Sequence, residues 1–327
     1  MTHDIRSHPV PESFHSRLWA SRRTGPPKTI ATPDPATTEN PHTWLLQAHA
    51  HSEQGHRPTM EDVHAIVPEF GGIHGQGFFA VYDGHGGSID VARYCGEHLH
   101  EVLLQNMHQH PHEPLLDVLR QTFLDTDEKI KELDKSDPTK DPGSTAAVAV
   151  VRLEDGAAEP NCPSAQGKAP QRVLYCANVG DSRVVLCRAG TAVRLTRDHL
   201  PSHADERARI EAANGNVWLG RVQAYLAISR SFGDHDLKQW VIAEPYTTRT
   251  VLEEVDEFMI IACDGLWDVM SDQEAVNIVR AQANPGDASS ILVRTALDKW
   301  TSDNVTVVVV RLSSGPQSRR YNNWACQ

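Results

Sequence analysis

Apolar residues along this chain fall into two patterns. Runs at 78–82, 146–151, 258–263 and 305–310 are short, continuous and rich in β-branched or aromatic residues, which predicts strands covered on both faces. Helical spacing instead marks Val91, Tyr94, Cys95, Leu99, Val102 and Leu103, behind a cap at Ser88 or Asp90, and then Leu115, Leu116, Leu119, Phe123, Ile130 and Leu133. A strand is predicted over 44–51, with a second beginning within 54–62 after a turn at Gly55. Residues 172–179 and 183–187 read as a tight hairpin across Gly180-Asp181-Ser182. Ser202 opens a helical stretch that Asn214-Gly215 ends, Ser271-Asp272-Gln273-Glu274 is a capping box, and a last helix covers 288–300. Consecutive strands with helices grouped in pairs predict an α+β layered fold.

The chain has 327 residues, 39% of them hydrophobic, enough for one large domain, placed at 44–313. Residues 1–43, rich in Pro, Thr, His and Ser, are expected to be a disordered tail, and 314–327 a short C-terminal one. An exposed loop is predicted at 154–171 and a flap-like excursion at 200–225, in which Trp218 is read as local packing. His98, His100, His108, His110 and His112 read as a solvated helix end rather than a metal tract. The net charge of -12 argues against nucleic-acid binding, and no apolar run approaches the roughly 18 residues of a membrane span. Six scattered cysteines without a Cys-x-x-Cys pair indicate a reducing compartment. A cytoplasmic or nuclear monomer is expected; Arg6, Arg17, Arg22 and Arg23 near Phe14, Leu18 and Trp19 leave a mitochondrial presequence open.

Where the apolar runs stop, acids appear. The first ends at Asp83-Gly84-His85-Gly86-Gly87 and a later one at Asp264-Gly265, while Asp181 and Asp303-Asn304 flank others. Each alone is an ordinary turn signal, but carboxylates delivered from several strand ends can converge on one cation. Arg57, Thr59 and Glu61 share a face if extended, and Asp62 then faces away unless the strand bulges or ends there. The oxygen-rich, sulfur-free set Glu61, Asp83, Asp181, Asp264 and Asp303 favours magnesium or manganese over zinc. Two such cations can activate a bridging water for attack on phosphorus, with Asp83 as the natural bridge. Arg57 offers a planar fork for phosphate oxygens. His85 is either the proton donor to a leaving alkoxide or a packed histidine. Neither a Walker or dinucleotide glycine loop nor a Gly-x-Ser-x-Gly elbow is present.

In chain order, Arg57-Pro58-Thr59-Met60-Glu61-Asp62, Val81-Tyr82-Asp83-Gly84-His85-Gly86-Gly87, Gly143-Ser144-Thr145, Asn178-Val179-Gly180-Asp181-Ser182-Arg183, Leu226-Ala227-Ile228-Ser229-Arg230-Ser231-Phe232-Gly233-Asp234, Cys263-Asp264-Gly265-Leu266-Trp267-Asp268 and Asp303-Asn304 can be read together. This series resembles the metal-dependent protein serine/threonine phosphatases of the PP2C (PPM) family over residues 45–312. The resemblance implies an αββα sandwich, two central antiparallel β-sheets flanked by helix pairs, with two Mg²⁺ or Mn²⁺ ions per active site and a third held weakly. It implies hydrolysis of phosphoserine and phosphothreonine in phosphoprotein substrates, by direct attack of a metal-bridging water or hydroxide. By matching position, Glu61, Asp83, the Gly84 carbonyl, Asp264 and Asp303 are implied metal ligands. Asp181 matches the third-metal position, and Asp62, Thr145, Asp268 and Asn304 the partners that orient metal or water. Arg57 and His85 match the phosphate-binding arginine and the general acid. The chain departs from the pattern at Asn214-Gly215 and Gln223-Ala224-Tyr225, and has Cys263, read as a packed strand residue, where serine is frequent. A binding-only pseudophosphatase and a hydrolase of small phosphoesters are the alternative readings.

Overall fold

The computed structural model describes residues 44–133, 141–154 and 170–314. The expected tails at 1–43 and, but for Ser314, at 314–327 lie outside the described residues, as does most of the 154–171 loop. The chain opens with β1 (Trp44–Glu53), β2 (Asp62–Pro68) and β3 (Gly77–His85), followed by the paired helices α1 (Asp90–Gln109) and α2 (Leu115–Leu133). Then come β4 (Gly143–Ser144), β5 (Ala146–Glu154), β6 (Gln171–Val179), β7 (Arg183–Arg188), β8 (Thr191–Arg194) and α3 (Ala204–Ala212). The excursion holds β9 (Val217–Trp218) and β10 (Arg221–Val222) before β11 (Phe232–Gly233), β12 (Tyr246–Val251) and β13 (Asp256–Ala262). Helices α4 (Asp264–Trp267), α5 (Asp272–Arg280) and α6 (Pro285–Asp298) precede β14 (Val305–Ser314).

Two large sheets result, one ordered β1-β14-β13-β7-β8 and one β11-β4-β3-β5-β6-β12, with β2 on β3, while β9 and β10 form a separate two-stranded ribbon; every named pairing is antiparallel. The continuous apolar runs follow from their double burial. Phe79, Val81, Ala149 and Leu174 meet Leu186, Met259, Ile261 and Val308 between the sheets. The alternate residues Phe78, Ala80 and Tyr82 face outward onto Val91, Leu99, Leu119 and Phe123 of α1 and α2. On the other side Ile260, Val307 and Val309 pack beneath Val276, Val279, Leu292 and Val293 of α5 and α6. Period-two alternation thus divides each run between two apolar cores, and burying one large side chain is worth about 1.5–3 kcal/mol. The α+β αββα expectation holds.

Several local expectations do not. The segment before β2 is a loop, so that strand starts at Asp62 rather than earlier. Asp90 begins α1, and its N-H bonds the Ser88 hydroxyl, but Ile89 occupies the capping position without a side-chain cap. Ser271 does cap α5 by accepting from Glu274 N, although the Glu274 carboxylate turns to Lys299 at 2.7 Å. Trp218 is not packed locally but is 64% exposed. The main correction concerns Gly180-Asp181-Ser182. Strands β6 and β7 lie in different sheets, so the turn carries the chain across the sandwich instead of closing a hairpin. Gly180 makes this crossing with φ +83°, at a point where a Cβ would stand 2.6 Å from Thr145 Cγ2.

Candidate active site

Antiparallel pairing places the acid-bearing ends together. Asp83 in β3 lies opposite Asp62, the first residue of β2. Asp264 follows β13 and Asp303 precedes β14, and since those strands pair antiparallel both acids fall at one end of the sheet. Asp181 joins them from the β6-to-β7 crossing. Asp83 sits in the field of Asp264, Asp62, Asp181 and Asp303, and burial first, then those neighbours, push its carboxyl well above the usual range. Burial, then Asp264, Asp198 and Asp268, do the same to Asp181. Asp62 is pushed up to about 7, chiefly by burial, and Asp264 to about 6, by burial and then Asp303 and Asp268. Asp268 is raised too, by burial first.

A buried carboxylate oxygen normally has a partner. Asp62 Oδ1 and Asp264 Oδ1 have none. Orphaned acidic oxygens among mutually repelling carboxylates fit a hard divalent cation, which would satisfy both the lone pairs and the charge. Among the described residues, Asp62, Asp83 and Cys263 bring ligand-type atoms within 4.8 Å of one another. Burial holds the Cys263 thiol protonated, and it donates to Asp62 Oδ2 at 3.2 Å while accepting from Thr306 N at 3.2 Å. Cys263 is therefore a buried donor within the acid cluster and not merely a packed strand residue.

The other expected residues are arranged around these acids. Thr145 braces Asp83 on both sides, accepting from its N-H at 3.2 Å and donating its own to the Asp83 carbonyl at 2.9 Å. Asn304 accepts from Glu61 N at 2.8 Å and donates to the Gln54 and Thr59 carbonyls at 2.8 and 3.0 Å, fastening the loop before β2. Gly84 N donates to the Glu61 carbonyl at 3.3 Å, an approach that a Cβ at Gly84 would block. The Glu61 carboxylate itself accepts from the Thr59 hydroxyl at 2.6 Å, and Asp62 points into the buried cluster. Arg57, half exposed, donates to Asp303 Oδ2 at 2.6 Å. His85 Nε2 lies 2.8 Å from Asp234 Oδ2 and 3.0 Å from Oδ1. Sequence reasoning gave Asp234 no role, and its only local signal is the Gly-Asp pair that ends the β11 motif.

The His98 and His110 rings pair with Glu101 and Glu113 at the surface, as expected of a solvated helix end, whereas His100 packs its ring against Phe78 at 5.8 Å. In the excursion, Asn214, Gln223 and Ala224 all take positive φ.

The raised acids make metal-dependent stability depend on pH. A carboxyl whose folded value lies above its unfolded one stabilises the fold below the unfolded value, and that contribution fades as pH rises through the folded value. For Asp62 the window runs from 3.8 to about 7. The rise in melting temperature between EDTA-treated and manganese-loaded protein is therefore expected to be larger at pH 8 than at pH 5. The difference is the readout because burial holds His199 at about 3, which works in the opposite direction below its usual 6.5. An equal rise at both pH values would show that cation binding does not relieve these carboxyls.

The sequence profile of the Protein phosphatase 2C family matches residues 46–305. Protein phosphatase 2C homolog 1 of Schizosaccharomyces pombe is 42% identical over 274 residues, covering 84% of this chain and 74% of that protein. Its Saccharomyces cerevisiae namesake is 43% identical over 258 residues, covering 78% of this chain and 89% of that one. Among solved structures, a C. elegans sex-determining protein superposes with a TM-score of 0.71 at 25% identity, over 82% of this chain and 65% of that one. A phosphatase from Toxoplasma gondii shares the fold with a TM-score of 0.68 at 24% identity, over 84% and 94%.

Proposed function

The chain belongs to the protein phosphatase 2C family and is a protein phosphatase acting on phosphoproteins; from that premise we propose a magnesium- or manganese-dependent hydrolysis of phosphoserine and phosphothreonine at the acid cluster, within a domain spanning 44–313. The observation that carries this reading is the convergence of Asp62, Asp83, Asp181, Asp264 and Asp303 from separate strand ends, with buried oxygens left without partners. Glu61, Asp83, the Gly84 carbonyl, Asp264 and Asp303 would hold two ions, and Asp181 a weaker third. The bound ions supply positive charge that acidifies water and offsets the charge of the phosphoryl group.

The chain's own groups do the remaining work. Arg57 presents fixed N-H donors beside the acids, and its guanidinium orients the phosphate. His85 gives a proton to the seryl or threonyl oxygen as it leaves. Thr145 and Asn304 keep the Asp83 backbone and the Arg57-bearing loop in register.

Phosphate release from a phosphothreonine peptide, with and without added manganese, tests the reading. Release that needs metal, at a higher kcat/KM than for a small phosphoester, is expected. Silence across metals and peptides would leave a binding protein instead. Arg57→Lys is expected to raise KM for the peptide about 10–100-fold, the value of one charge-assisted hydrogen bond at about 1.5–3 kcal/mol. An unchanged KM would remove Arg57 from phosphate binding.

A further inference from the structure

We propose that Asp234 is the positioning residue for His85, and that Gly143 is kept free of a side chain so that the two can meet. This rests on the reading of His85 as proton donor to the leaving oxygen. The pair is created by three adjacent short strands. Gly143 in β4 lies opposite His85 of β3 on one side and Gly233 of β11 on the other. The imidazole and the carboxylate therefore meet over Gly143, where a Cβ would overlap both Asp234 Oδ2 and His85 Nε2.

Asp234 is held where it can act on the ring. Its side chain is 3% exposed, and besides His85 its carboxylate accepts from the Ser231 hydroxyl. Its backbone is left-handed at φ 50°, a conformation that is unfavourable for a non-glycine residue and persists only where surroundings impose it. Those surroundings are specific. Asp234 N donates to the Pro142 carbonyl at 3.1 Å, and Gly233 N to Asp127 Oδ1 at 2.9 Å. His235 N and Asp236 N both donate to the Asp141 carboxylate, at 2.6 and 3.0 Å.

With Nε2 committed to Asp234, Nδ1 is the ring atom that serves the leaving group. As the oxygen of water bonds to phosphorus and the bond from phosphorus to the threonyl oxygen breaks, that oxygen keeps the electron pair. It takes the proton from the His85 ring, giving alcohol and inorganic phosphate, and the ring recovers a proton from solvent. Asp234 neither touches the substrate nor exchanges the proton; it fixes the ring's tilt and so the direction in which Nδ1 points.

The test compares wild type, Asp234→Asn, Gly143→Ala and His85→Gln on a phosphothreonine peptide and on p-nitrophenyl phosphate, whose nitrophenolate leaves without needing a proton. Asp234→Asn and Gly143→Ala are each expected to lose about 10–100-fold in kcat on the peptide with KM within about twofold, part of the roughly 10²–10⁴-fold a general acid supplies. On p-nitrophenyl phosphate the loss is expected to stay within about threefold, and Asp234→Asn should cost nothing further in a His85→Gln background. Gly143→Ala disturbs the pair while leaving both residues in place, so it decides the matter if Asp234→Asn does not fold. Equal losses on both substrates with a lowered melting temperature, or no loss on either, would overturn the proposal. Should His85→Gln depend on the leaving group while neither other variant does, the proton-donor reading stands and the role of Asp234 falls. If His85→Gln shows no such dependence, both fall.

Discussion

Asp83→Asn is expected to lower phosphate release from a phosphothreonine peptide by at least about 10²–10³-fold, the scale of removing one preorganised charged group from a reaction centre. The same change is expected to raise the melting temperature of the metal-free protein. Both follow from one fact. Asp83 is half-buried but with its carboxyl group enclosed among Asp264, Asp62, Asp181 and Asp303, so its charge is costly unless a cation offsets it. An uncharged amide of the same shape removes that repulsion together with the ligand, and activity and metal-free stability move in opposite directions. The check is a pair of measurements on one preparation: phosphate release with saturating manganese, and thermal unfolding in EDTA. Lowered stability in EDTA would mean that hydrogen bonds of Asp83 outweigh its repulsions and would undercut the account of the site as a strained acid cluster.

Glu206→Ala is expected to destabilise the fold by about 3–5 kcal/mol, the cost of breaking a buried ionic network from one side. Glu206 lies on α3, is 1% exposed, and receives Arg230 at 2.5 Å, Arg209 at 2.8 Å and the Ser229 hydroxyl at 2.7 Å. Burial alone would raise its carboxyl, yet these hydrogen bonds prevail and hold it at about 2. Its contribution is therefore present above the unfolded value near 4.5 and is lost as pH falls toward about 2, which makes the wild type more acid-sensitive than the variant. The same network ties α3 to the segment leading into β11, so the variant should loosen the excursion as well. Denaturant unfolding at pH 7 and pH 3 checks both statements. A loss below about 1 kcal/mol at pH 7 would place the network among surface ion pairs of little consequence.

How legible the molecule was in its sequence differs between its parts. The strand cores were plain, because a run such as 146–151 has no polar residue to place outward and is compatible only with cover on both faces. The carboxylates were plain too, since Asp83 and Asp264 stop such runs abruptly. The turn at 180–182 reads as a hairpin in the sequence because Gly-Asp-Ser is a sound hairpin signal, and burial on both faces says nothing of which sheet a strand joins. That choice is made by the edges on offer: β6 pairs with β5 and β12, β7 with β13 and β8. Asp234 escaped notice for a related reason, since its partner His85 lies 149 positions away and the two meet only through the β11-β4-β3 pairing.

By itself, then, the sequence determined the layers, the acids at the strand ends and the family the chain resembles, because apolar periodicity and the residues that interrupt it are local properties. Tertiary structure alone decided that Asp62 turns inward, that β6 and β7 part across the sandwich, and that Asp234 closes on His85 over a bare Gly143. Those outcomes depend on strand register and on which surfaces exclude water, and both are set by pairings between segments far apart in the chain.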